Sequence, residues 1–238
     1  MTFSLLARCP ETGRFGMVIS SSSPAVAARC AHARAGVGVA ATQNITDPTL
    51  GPRLLDLMQA GASATEAMAE VVATAPFVDY RQLLCVDAQG RVATHSGAKT
   101  LGVWALAEGP GVVAAGNLLA NPGIPQAMVD AFAATIGTLG DRLVAALRAG
   151  RDAGGEAGPV HSAGLLMVDT ESWPCAELRA DWTDPDCPIE AVAKAWAVYA
   201  PQMPAYLQRA RDPREAPSYG VPGDEGRGDE GRGDDGPR

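Results

Sequence analysis

The sequence predicts an α+β domain in which largely antiparallel sheets are covered by helices. Three observations predict it. The elements run strands, two helices, strands, two helices, strands, helix, which is a layered order. Short apolar runs come in pairs split by turn residues, the mark of hairpins and so of antiparallel pairing. Neither the βαβα alternation of a doubly wound nucleotide fold, nor a GxGxxG joining a strand to a helix, nor a GxxxxGK[ST] loop occurs.

Each element has its own signal. Phe3 to Arg8 reads as a strand, Pro10 to Gly13 (PETG) as a turn, and Phe15 to Ser20 as the returning strand. Pro24 to Ala33 reads as one helical turn or as a loop. Gly36 to Ala41 (GVGVAA) is a buried strand whose glycines allow close backbone approach. LLDLMQAG places apolar residues at helical spacing over Leu54 to Gly61 and stops on a glycine C-cap. Ser63 and Glu66 form a capping box that starts a second helix, running through Ala73. Arg81 to Asp87 and Arg91 to His95 make another hairpin. Val103 to Ala107 and Val112 to Ala115 are split by the turn-like EGPG. Two helices follow, about Pro125 to Thr135 and Gly140 to Ala149, and GRDAGGEAGPV reads as a flexible loop. Ser162 to Asp169 and Glu177 to Trp182 read as strands. Pro188 to Arg209 is an amphipathic helix interrupted near Pro201 and Pro204. Residues 1–211 thus form one domain. Residues 212–238 are an acidic, glycine-rich tail with nothing to build a core from, and they are expected to be disordered.

Composition narrows the function class. The formal charge of -8 over 238 residues argues against nucleic acid, which needs a basic footprint. No apolar run is long enough to span a bilayer and no signal-peptide pattern opens the chain, so the expectation is a cytoplasmic protein away from membranes. Five cysteines, Cys9, Cys30, Cys85, Cys175 and Cys187, have no CxxC spacing and fit reduced thiols. Cys30-x-His32 lacks a second ligand pair, so neither metal nor cofactor is expected. No GxSxG elbow is present. Trp173, Trp182 and Trp196 read as core or interface residues.

Thr2 is the position with the most chemistry to offer. A threonine hydroxyl attacks only when a base takes its proton. If Met1 is removed, the freed α-amine lies on the same residue, and at about pKa 7.7–8.0 much of it is neutral near physiological pH. That is the threonine/N-terminal-amine form of a nucleophile and its base. The plainer reading is a Met-Thr start with no chemical meaning.

TFSLLARCPETGRFGMVISSSS, ARAGVGVAATQN, DPTLGPRLLDLMQAG, VDAQGRVATHSGA and AAGNLLA together resemble the domain of unknown function 1028 family, which is grouped with the Ntn hydrolases. The likeness runs from Thr2 to about Asp184. It implies a four-layer αββα sandwich of Ntn-hydrolase type with two largely antiparallel sheets, and a hydrolase of non-peptide C–N bonds. Lys99 and Lys194 do not match the lysine beside the nucleophile of proteasome-type enzymes.

Within that frame Asn117 is the candidate oxyanion donor, against a turn or strand-end role. Gln43 and Asn44 are candidates for binding substrate or completing the oxyanion hole, against a loop-start cap. Ser21 and Ser22, at the end of the second strand, are expected near Thr2 or on the neighbouring face, one or two of the serines there bonding its amine and the others being ordinary edge or turn residues. Arg29, His32 and Arg34 are candidates for holding a substrate carboxylate, since the guanidinium fork suits that partner. The expected activity is an amidohydrolase acting on a small amide, lactam, imide or ureido compound. The alternative is a non-catalytic metabolite-binding or scaffold protein on the same fold. A homo-oligomer is expected, with the C-terminal helix around Trp196 and Tyr199 either at its interface or packed on its own domain.

Overall fold

A computed structural model of the chain describes residues 1–222; the acidic repeat at 223–238 lies outside the described residues. Two units are distinguished, Met1–Trp196 and Ala197–Arg238. The elements are β1 (Thr2–Arg8), β2 (Phe15–Ser21), α1 (Val26–Cys30), β3 (Ala31–Arg34), β4 (Gly38–Asn44), α2 (Leu50–Gln59) and α3 (Ala64–Thr74). A 3-10 turn (Val78–Tyr80) leads to β5 (Arg81–Asp87), β6 (Val92–Ser96), β7 (Ala105–Gly109) and β8 (Val112–Asn117). Then come α4 (Ile124–Ala134), α5 (Leu139–Asp152), β9 (Ser162–Val168), β10 (Ala176–Ala180) and α6 (Pro188–Tyr199). In the second unit Tyr206 of α7 (Met203–Arg211) stacks on Tyr199.

Six strands form one sheet in the order β10-β9-β2-β1-β8-β7, and four form another in the order β3-β4-β5-β6. Every pairing is antiparallel. Helices α4 and α5 pack on each other and on the six-stranded sheet, whereas α2 and α3 cover the four-stranded one. The bare faces of the two sheets meet, β1 against β4 and β5 and β8 against β5. The result is a four-layer αββα sandwich.

The core follows from strand alternation, since successive side chains point to opposite faces. Leu6, Met17, Ile19, Val39, Ala41, Leu84, Val86, Val113 and Ala115 meet between the sheets with Phe15, Val26, Cys30 and Val168. Leu83, Cys85 and Ala40, on the opposite parity, pack beneath Leu50, Leu54, Met68 and Val71 of α2 and α3. Gly38 is required by crowding: a Cβ there would lie 2.5 Å from the Val86 carbonyl oxygen.

Local chemistry sets most boundaries. The Ser63–Glu66 capping box is present at the start of α3, a contact worth about 1 kcal/mol. A second box, Thr138–Asp141, starts α5 at Leu139, and the sequence reading placed that start at Gly140. Gly36, at φ 70, belongs to a turn, so β4 begins at Gly38 and runs on to Asn44. The Pro24–Ala33 segment resolves into α1 and the short edge strand β3. The predicted C-terminal helix ends at Tyr199 before Pro201 and restarts at Met203 with Pro204 in its first turn. Trp196 is buried in its own unit: its indole N–H donates to Asp141 at 2.8 Å and its ring lies over Gly140. Trp173 and Trp182 are exposed rather than core.

Candidate active site

The same alternation that builds the inter-sheet core changes character at one end. Along β1 the inward series is Leu6, Ser4, Thr2; along β2 it is Met17, Ile19, Ser21; along β8 it is Val113, Ala115, Asn117. In the facing sheet β4 contributes Val39, Ala41, Gln43 and β5 contributes Val86, Leu84, Gln82. Register aligns them: Thr2 pairs with Asn117, Ser4 with Ala115 and Ile19, and Gln43 with Gln82. Five strands therefore end in polar residues at one place, all of them buried.

Most of these groups bind one another. Ser4 Oγ donates to Gln43 Oε1 at 2.9 Å, and Gln43 Nε2 donates to Gln82 Oε1 at 2.8 Å. Gln82 Nε2 donates to the Gly116 carbonyl at 3.2 Å and to Ser96 Oγ at 3.1 Å. Because carbonyls only accept, the contacts of Gln43 to Ala115 O and of Gln82 to Gly116 O fix both amide orientations. Asn117 Nδ2 then donates to Gln82 Oε1 at 3.1 Å, while its Oδ1 is buried without a partner among the described residues. The amide expected to face an oxyanion thus has one N–H committed to Gln82.

Nearer the chain start the groups are hydroxyls. Thr2 Oγ1 donates to the Met1 carbonyl oxygen at 2.5 Å and lies 3.4 Å from Ser21 Oγ. Ser21 Oγ donates to the same carbonyl, also at 2.5 Å. It lies 2.8 Å from Ser23 Oγ, which accepts from Arg29 Nη2 at 3.1 Å. Among the described residues no carboxylate pairs with Arg29.

The sequence reading missed Ser4 and Gln82 of this network and, beside the chain start, Glu156. The segment read as a flexible loop is built: Ala157 N–H donates to Leu118 O and Ala120 N–H to Gly155 O, both at 3.0 Å, and Glu156 bridges Leu119. Both Glu156 oxygens accept the Ser22 backbone N–H, at 3.2 and 3.0 Å, and the residue is 4 % exposed. Burial pushes its carboxyl up to about 7, against the pull of the chain's terminal ammonium, the Ser22 hydrogen bonds and His161. The signal for it was slight: one acid after a glycine pair, Gly154 and Gly155, both at positive φ.

The structure brings Thr2, Ser21, Ser22, Arg29, Gln43 and Asn117 to this end and keeps three other candidates apart. Asn44, at φ 73, ties Tyr80 O to the Leu101 N–H. His32 and Arg34 lie on the helix-facing side of β3. His32 packs against Gly51, and burial lowers its pKa. Arg34 binds Asp56 at 2.8 Å and also Gln59. These two residues border a cleft of about 290 Å³ with Pro52, Leu55, Leu165 and Glu177, whose lining does not include Thr2.

The model of a family of unknown function, DUF1028, matches residues 2–192. The chain belongs to this family. A solved structure described as DUF1028, protein SPO2555 from Silicibacter pomeroyi, is 29% identical with a TM-score of 0.78, over 84% of this chain and 86% of that one. Eukaryotic HslV from Trypanosoma brucei is 13% identical with a TM-score of 0.43, over 70% of this chain and 99% of that one. Anbu from Yersinia bercovieri is 12% identical with a TM-score of 0.38, over 86% and 97%. No curated protein matches. Among the described residues no helix is long and apolar enough to cross a membrane, and no group of three or more His, Cys, Asp or Glu could hold a metal ion.

Proposed function

We propose that this DUF1028 member is an N-terminal-nucleophile amidohydrolase acting on a small non-peptide C–N bond. One observation carries the reading: the Thr2 hydroxyl sits at the polar end of the sheet sandwich, beside Ser21 and within the buried cluster of amides and hydroxyls. Loss of Met1 frees the Thr2 α-amine. That amine takes the proton of Oγ1 as the oxygen adds to the substrate carbonyl carbon. It returns the proton to the leaving nitrogen as the C–N bond breaks, which leaves an ester on Thr2 that water hydrolyses.

Two donors are available to the oxyanion. Ser21 Oγ already donates to the Met1 carbonyl, the acyl group next to the nucleophile, and the second N–H of Asn117 adds to it. A correctly aimed donor is worth roughly 3–4 kcal/mol in the transition state. Arg29, with no carboxylate partner among the described residues, suits a substrate carboxylate. The same reading takes the protein to be cytoplasmic and to assemble with copies of itself; the exposed Leu101, Val103, Trp104 and Leu106 beside edge strand β7 support the second point.

Intact mass of the purified protein reports whether Met1 is gone. A β-lactone probe should then form an adduct on residue 2, lost in Thr2→Ala and kept in Thr2→Ser. Amides, lactams, imides and ureido compounds are screened against the same variants. Turnover by protein that retains Met1, or unchanged turnover in Thr2→Ala, overturns the proposal.

A further inference from the structure

We propose that Glu156 is a positioning residue that holds the terminal amine of the processed chain over the Thr2 hydroxyl. The proposal rests on Thr2 as nucleophile. Its ground is the path of the backbone from Gly155 to His161, which crosses the ends of three adjacent strands. The path pairs with Leu118 and Ala120 just past β8, and Glu156 bridges Leu119. At Gly158 it passes over the chain start, where a Cβ would lie 3.3 Å from the Met1 methyl. It then reaches β2, where Glu156 accepts the Ser22 N–H and the His161 N–H donates to Ser21 O at 2.9 Å. Strand β1 lies between β2 and β8, so its first residues are straddled by this segment.

A carboxyl placed there faces two titratable groups: the terminal amine at the head of β1, and His161 ahead of β9. Removing Met1 moves the amine by one Cα step, about 3.8 Å. The carboxyl then fixes the nitrogen lone pair toward Oγ1 and accepts its surplus proton. Burial keeps Glu156 titrating near neutrality, which suits it to take up that proton.

The variant Glu156→Gln keeps an acceptor for Ser22 and removes the charge. Trace acetylation with acetic anhydride at pH 7 reads the terminal amine by mass spectrometry, with exposed Lys194 as internal standard. Freed from the carboxyl, the amine should acetylate roughly tenfold faster in Glu156→Gln, the equivalent of one pH unit. The β-lactone adduct on residue 2 should form roughly tenfold more slowly and lose its rate inflection near pH 7. Glu156→Asp should restore both readings toward wild type. Loosened packing could move the two rates apart as well, but it would leave the inflection near pH 7 in place and would not be reversed by Glu156→Asp.

Equal acetylation in wild type and Glu156→Gln, or superimposable pH profiles, overturns the inference while leaving Thr2 as nucleophile. A wild-type chain that gives no residue-2 adduct overturns the nucleophile instead, and the acetylation contrast still decides Glu156. Should Glu156→Gln fail to fold, a wild-type adduct rate with no inflection near pH 7 overturns the inference by itself.

Discussion

The layer between the two sheets has two ends made by the same five strands, and they are built on opposite rules. At one end Leu6, Met17, Val39, Val86 and Val113 exclude water and need only fill space. At the other, Thr2, Ser21, Gln43, Gln82 and Asn117 take the same inward positions four residues along, each needing a hydrogen-bond partner. Burying such groups is unfavourable unless every one is satisfied. The network nearly achieves this, and the exceptions are informative: Asn117 Oδ1 has no partner among the described residues, and both hydroxyls nearest the chain start donate to the carbonyl of a residue that processing would remove. The apolar end is a core. The polar end keeps unused hydrogen-bonding capacity.

Substitutions along β1 test that contrast, because one strand face passes from one regime to the other. Leu6→Ala, fully buried between the sheets, should cost about 2–5 kcal/mol in urea unfolding. Next in size is a pH effect. Glu156 is raised from its ordinary value of 4.5 to about 7, so between those pH values the folded protein keeps a proton that the unfolded chain has released. Stability should therefore fall as pH rises through this window and level off above it, by roughly 3 kcal/mol at 1.36 kcal/mol per unit. Denaturant midpoints across the window should decline in wild type and flatten in Glu156→Gln. Ser4→Ala leaves Gln43 Oε1 without its donor and should cost about 1–3 kcal/mol. Thr2→Ala should change stability by less than about 1 kcal/mol while abolishing the probe adduct. If Thr2→Ala destabilised as much as Leu6→Ala, the polar end would be a second core and the contrast would break.

Legibility in the sequence divides along similar lines. Elements set by nearby residues were readable: the β1–β2 hairpin from PETG, α3 from its capping box, the break before α7 from Pro201. The position of Thr2 beside Ser21 followed from the hairpin. Asn117 and Gln43 were visible as polar residues closing apolar strands, but their mutual bonding through Gln82 was not, since it depends on how one sheet faces the other. His32 and Arg34 illustrate the converse: their residue types suited a carboxylate, yet strand parity turns them toward α2. Glu156 was hidden because its burial comes from Ser22 and Leu119, far away in the chain, and an acid among glycines looks solvated.

The central place of β1 in the larger sheet has a practical consequence. Most chains begin at a periphery, where an affinity tag trails harmlessly into solvent. Here any extension ahead of Met1 has to leave from the middle of six strands, past Glu156 and Gly158, and it keeps the Thr2 nitrogen locked in an amide. If Thr2 is the nucleophile proposed above, recombinant material carrying an N-terminal fusion would give no residue-2 adduct, so a handle belongs at the opposite terminus.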